Sequence, residues 1–134
     1  MTKLTEIEGI GATYAQTLAE AGIATTEALL EQGGTPQGRK ALAEKTGISG
    51  KRLLNWINRA DLARVKGIGE EYADLLEVAG VDTVPELAQR NPQNLYKKLV
   101  EINEEKRLAR RSPSQDQVKA WVEQAKELPR AITY

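Results

Sequence analysis

Apolar residues return every three or four positions along most of this chain, in short runs parted by Gly, Pro, Thr, Ser or Asn. That period belongs to amphipathic helices, and the parting residues are helix caps and stops. Leu4 and Ile7 mark a short first helix, and Gly9-Ile10-Gly11 a tight reversal into a helix over about 12–21. Thr25 or Thr26 can cap the next helix, which carries Leu29 and Leu30 and stops at Gly33-Gly34. Thr35-Pro36 is a hydroxyl cap followed by Pro at the first helical position; that helix runs through Leu42 to about Lys45. Thr46-Gly47-Ile48-Ser49-Gly50 reads as a second, looser reversal. Ser49 then caps a helix with Leu53, Trp56, Ile57 and Ala60 on one face.

Beyond a short helical bridge at 61–65, the chain repeats itself. Gly67-Ile68-Gly69 leads into a helix over about 70–79, and Thr83-x-x-Glu86 with Pro85 reads as a capping box. Asn91-Pro92 opens the helix of Leu95, Leu99 and Ile102. Ser112 or Ser114 caps the last helix, with Val118, Trp121, Val122 and Ala125 on its apolar face. Between 7–30 and 65–88, at a spacing of 58, ten of 24 positions are identical. Such self-similarity marks an internal duplication. The tryptophans stand 65 apart rather than 58, which places a polar, seven-residue insertion near 103–113. The expectation is an all-α protein of two tandem repeats, 1–62 and 63–134, each of about five short helices. Past Pro129 the tail is expected to be loose.

The doubled phrase has a physical logic. Gly-x-Gly permits a tight reversal, the central Ile10 or Ile68 turns inward, and Ala15 or Ala73 offers a small surface for a close helix crossing. Leu18 and Leu76 share that buried face. In both copies an apolar residue, any residue, Gly-apolar-Gly, three residues, Ala, two residues and Leu follow one another. This resembles the helix-hairpin-helix motif, and the whole layout resembles a bacterial helix-hairpin-helix family of unassigned function. The resemblance implies that hairpin N–H groups grip a phosphate at the start of the following helix, where orphan donors and the helix dipole favour an anion. Some relatives also hold a monovalent cation on hairpin carbonyls. Compact hairpins also serve as plain helix connectors.

Composition narrows the chemistry. The chain has no Cys and no His, which removes disulfides, thiolate chemistry, most zinc sites and Ser-His or Cys-His relays. Its carboxylates are scattered at ordinary surface frequency, so no catalysis, cofactor, metal or small-molecule substrate is expected. No long apolar stretch suggests a membrane, and a cytoplasmic location is the default. Lys and Arg number 19 against 19 Asp and Glu, and the halves balance as well. Strong sequence-independent nucleic-acid binders usually carry a basic surplus, so neutrality argues against that class.

The candidate nucleic-acid contacts are Gly9, Ile10, Gly11 and Thr13 of the first hairpin, with Lys51 and Arg52 one turn inside a later helix. Nucleic-acid-binding hairpins usually place Lys or Arg just after the second glycine, where this chain has Ala12 and Thr13. The second hairpin has Glu70 and Glu71 there, which repel phosphate. The basic run at 106–111 reads as a solvated helix face with i, i+4 ion pairs. Trp56 and Trp121 read as core anchors, with Tyr14 and Tyr72 packed at the crossings. Two functions stay open: weak, salt-sensitive binding of a DNA or RNA backbone through the first hairpin, or a protein-interaction scaffold with structural hairpins.

Overall fold

A computed structural model describes residues 3–7 and 9–134; Glu8, inside the first copy of the doubled phrase, lies outside the described residues. The order is a 3-10 helix Leu4–Glu6, then α1 (Ala12–Glu20), α2 (Thr26–Gly33), α3 (Pro36–Thr46), α4 (Gly50–Leu62), α5 (Glu70–Val78), α6 (Val84–Ala88), α7 (Pro92–Lys106) and α8 (Gln115–Glu127). The protein is all-α. The only strand-like pairing among the described residues is one isolated bridge, Lys3 with Thr25. The chain divides into two compact units, Met1–Asp61 with Arg130–Tyr134, and Leu62–Pro129. The second has four helices rather than about five. Where unit 1 has its 3-10 helix, unit 2 has only a turn, closed by the Val65 N–H on the Leu62 carbonyl (3.0 Å).

Each unit buries its own apolar faces. In unit 1, Leu18, Ile23, Leu29, Leu53 and Ile57 are fully buried; in unit 2, Leu75, Leu76, Leu87, Leu99 and Val122 are. Leu18, Leu29, Leu53, Ile57, Leu76, Leu99 and Val122 are apolar-face positions read from the sequence, and burial is the main favourable term, about 1.5–3 kcal/mol for each large side chain. Trp56 and Trp121 sit deep in the two cores. Each lies against the first glycine of a reversal: a Cβ built on Gly9 would stand 3.0 Å from Nε1 of Trp56, and one on Gly67 at 3.0 Å from Nε1 of Trp121.

Caps fix most helix starts as expected. The hydroxyls of Thr25, Thr35, Ser49 and Ser114 and the Asn91 side chain each accept a backbone N–H three residues on, at 3.0–3.2 Å. Ser114, not Ser112, starts α8, with Gln117 closing a capping box. Thr83 departs from expectation. Its hydroxyl makes no bond to the helix backbone and donates to the Glu86 carboxylate at 3.0 Å. The two side chains therefore pair with each other rather than with the backbone donors of the first turn.

The extra length of unit 2 is distributed differently from a single insertion. α6 is shorter than α2, α7 has 15 residues against 11 in α3, and the loop 107–114 replaces the short link 47–49. The basic run at 106–111 is therefore not a helix face: Lys106 ends α7 and the rest is loop. α7 stops because Arg107 takes a left-handed conformation (φ 50°), as Gly47 (φ 74°) does after α3. The half-turn is held by Asn103, whose buried amide accepts the Ala109 N–H at 2.9 Å and donates to the Ser112 hydroxyl at 3.0 Å. The tail also departs from expectation. Ile132 is 2% exposed and belongs to the first core, because residues 130–134 are tied to unit 1 by backbone and side-chain bonds.

Candidate nucleic-acid interface

The first reversal begins where the Ile7 N–H closes on the Leu4 carbonyl (3.0 Å) and the Ile10 N–H on the Ile7 carbonyl (3.1 Å). Gly9 sits at φ +94°, a conformation that L side chains rarely adopt. Ile10, a predicted contact, is instead buried: it is 3% exposed, its N–H is used within the turn, and it pins the turn to the core. Gly11 is different. It is extended (φ −87°, ψ −174°), it is the N-cap of α1 without any side-chain cap, and a Cβ there would meet nothing within 4 Å. The paired glycines are thus unequal: the first is required by the turn, the second is not.

The start of α1 is consequently bare. Gly11, Ala12 and Thr13 are exposed. The first-turn N–H groups of a helix have no intrahelical acceptor, and Gly11, as the N-cap, brings no side chain to supply one. Thr13 uses its carbonyl to accept the Thr17 hydroxyl at 3.1 Å.

Arg52 comes to this turn from α4. Its guanidinium donates to the Tyr14 hydroxyl and lies 5.1 Å from the centre of the Tyr14 ring. Tyr14 is itself held edge-on to Trp56, with ring centres 5.0 Å apart. A continuous set of contacts therefore runs from Gly9 through Trp56 and Tyr14 to Arg52. Lys51 shares the exposed first turn of α4. The sequence placed Tyr14 at the crossing but did not show its hold on Arg52; the residues are 38 apart, and no local pattern joins them.

Unit 2 repeats the backbone but not the surface. Gly67 lies at φ +93°, and Gly69 (φ −92°, ψ −172°) is again an N-cap without a side-chain cap. Tyr72 packs on Trp121 at 5.2 Å, and Gln124 accepts the Lys66 N–H at 3.1 Å, fastening the turn to α8. The first turn of α5 carries Glu70 and Glu71, and Arg110 of the loop 107–114 pairs with Glu71 at 3.1 Å. This end of α5 and the loop border a depression of about 630 Å³ lined by Glu71, Glu104, Arg107, Arg110 and Ser112 among others. Its mixed charge matches no single anion.

Among the described residues no group of three or more His, Cys, Asp or Glu could hold a metal, and no helix is long and apolar enough to cross a membrane. No curated protein and no solved structure matches the chain. The family model of a domain of unknown function, DUF4332, matches residues 8–128, and the chain belongs to that family.

Proposed function

We propose that this protein is a non-catalytic helix-hairpin-helix module that binds the sugar-phosphate backbone of a nucleic acid through its first reversal. The helix-hairpin-helix assignment is supported by two Gly-Ile-Gly turns with near-equal torsions, each locked by a tryptophan and each opening a helix. The observation that carries the ligand is Gly11. A Ser, Thr or Asp cap at that position would stabilise α1 by roughly a few tenths of a kcal/mol over glycine, and the fold does not need a glycine there. A Cβ-free, uncapped helix start suits an oxygen anion that approaches the backbone closely. Arg52, oriented by Tyr14, adds a cation beside it.

Such binding is sequence-independent, weak because it rests on few phosphate contacts, and salt-sensitive because those contacts release counterions. Fluorescence anisotropy with a labelled duplex and a labelled single strand, at low and moderate salt, tests it. Gly11→Ala is expected to weaken binding while leaving helicity intact, and Arg52→Gln to lower the salt slope by about one unit. Wild-type protein that fails to bind either strand form at low salt refutes the proposal. The equal charges and the Glu71–Arg110 pair favour a second reading, a protein-interaction scaffold with purely structural hairpins, which that failure would leave standing.

A further inference from the structure

Residues Arg130–Tyr134 form a strap that completes unit 1 from the far end of the sequence. Counting from the proline at the first position of each helix, α7 places Leu95, fully buried, where α3 places Arg39. Unit 1 thus lacks an apolar side chain from α3 at that position, and Ile132 of the strap enters its core. Arg39 is put to another use. Its guanidinium donates to the Gly33 carbonyl (2.9 Å) and to the Thr133 carbonyl (2.7 Å), bridging the end of α2 to the strap. The Thr133 N–H donates to the Gly34 carbonyl at 2.7 Å, and the Tyr134 hydroxyl to the Asn58 side chain at 3.1 Å.

Gly34 is shaped for this occupant. Its φ of −67° suits any residue, but a Cβ there would stand 2.5 Å from the Ala131 carbonyl oxygen and 2.9 Å from that of Leu30. The surface is therefore a groove that reads an extended peptide: an apolar socket, two backbone-directed bonds, and an aromatic position beside Arg39 (5.8 Å to the Tyr134 ring centre). The strap leaves α8 through an extended residue, Leu128 (φ −80°, ψ 135°), and Pro129.

We infer that this groove is an exchangeable interface whose partner is a second copy of the chain, the strap of one copy seating in unit 1 of the other. Every bond made within one chain is remade between two, so concentration rather than contact energy decides the outcome. The hinge at 128–129 has to change direction, which releases the Pro129 carbonyl from the Arg64 guanidinium (2.6 Å). A short tether acts as an effective concentration of the order of 1 mM, so the closed monomer prevails in dilute solution and exchange gains above that level. None of this depends on the nucleic-acid proposal.

The test uses two full-length variants, each unable to close on itself. Ile132→Asp keeps the groove and spoils the strap; Gly34→Ala keeps the strap and blocks the groove. Mixed after joint refolding, they are expected to yield a one-to-one complex of about twice the monomer mass by light scattering, while each alone stays monomeric. Wild-type chain refolded above about 1 mM is expected to give a share of the same dimer. Monomers only, in the mixture and in the concentrated wild type, would overturn the inference. If Ile132→Asp loses helicity by circular dichroism, Ile132→Ala replaces it, and a monomeric mixture still decides against exchange.

Discussion

The two glycines of each reversal predict opposite outcomes for the same substitution. Gly9→Ala forces a side chain into φ +94° and sets a Cβ 3.0 Å from Nε1 of Trp56, a residue only 3% exposed. The left-handed conformation costs roughly 1–2 kcal/mol and the crowding of a packed core roughly 1–3, so a total of roughly 2–5 kcal/mol is expected. Gly11→Ala meets no atom within 4 Å at φ −87°. Its poorer capping and its smaller loss of chain entropy offset each other, leaving it within about 0.5 kcal/mol of wild type. Urea unfolding followed by tryptophan fluorescence measures both, in a Trp121→Phe background where Trp56 reports unit 1 alone. With a slope of about 2 kcal/mol per molar, Gly9→Ala should move the midpoint down by roughly 1–2.5 M and Gly11→Ala hardly at all. Gly67→Ala and Gly69→Ala should repeat the contrast in unit 2, read by Trp121 in a Trp56→Phe background. Equal shifts for Gly9→Ala and Gly11→Ala would refute the argument that the second glycine is free of structural duty.

Other perturbations test the rest of the fold and the site. Arg107→Gly removes a left-handed side chain (φ 50°) and should raise stability by roughly 0.5–1 kcal/mol, a Tm increase of a few degrees by calorimetry. Asn103→Ala strands the buried Ala109 N–H and should cost roughly 1–3 kcal/mol in urea, with faster hydrogen exchange at the Ala109 amide than at amides of α3. Arg110→Ala removes an ion pair whose arginine side chain is 94% exposed, so urea midpoints should stay within about 0.5 kcal/mol of wild type. Glu70→Ala with Glu71→Thr gives the second reversal the surface of the first; anisotropy should then show tighter nucleic-acid binding and a steeper salt dependence.

What the sequence made legible was local. Thr35-Pro36, Asn91-Pro92 and Ser49 cap their helices because each bond spans three residues and the donors lie at fixed helical offsets. Trp56 and Trp121 are buried because helical spacing alone puts them on apolar faces. The failures were long-range or competitive. Thr83-x-x-Glu86 has capping-box spelling, yet the Glu86 carboxylate takes the hydroxyl. The end of α7 depends on Asn103 reaching into a loop, and the loop's Arg110 on a glutamate 39 residues away. The strap was the largest omission. Its ties to Arg39 and Gly34 cross 94 and 99 residues, and a five-residue tail has no period to read. At the candidate site the glycines and Arg52 were visible as residue types, while the Tyr14 link that brings Arg52 to the turn was not.

The division of the chain also sets an order of maturation. Unit 2 is continuous, Leu62–Pro129, whereas unit 1 is assembled from both sides of it. A ribosome delivers the first four α-helices early, but Ile132 emerges only after the whole of unit 2 has been made. During synthesis the later unit is therefore the first able to close, and the earlier one waits with an empty socket for its last piece.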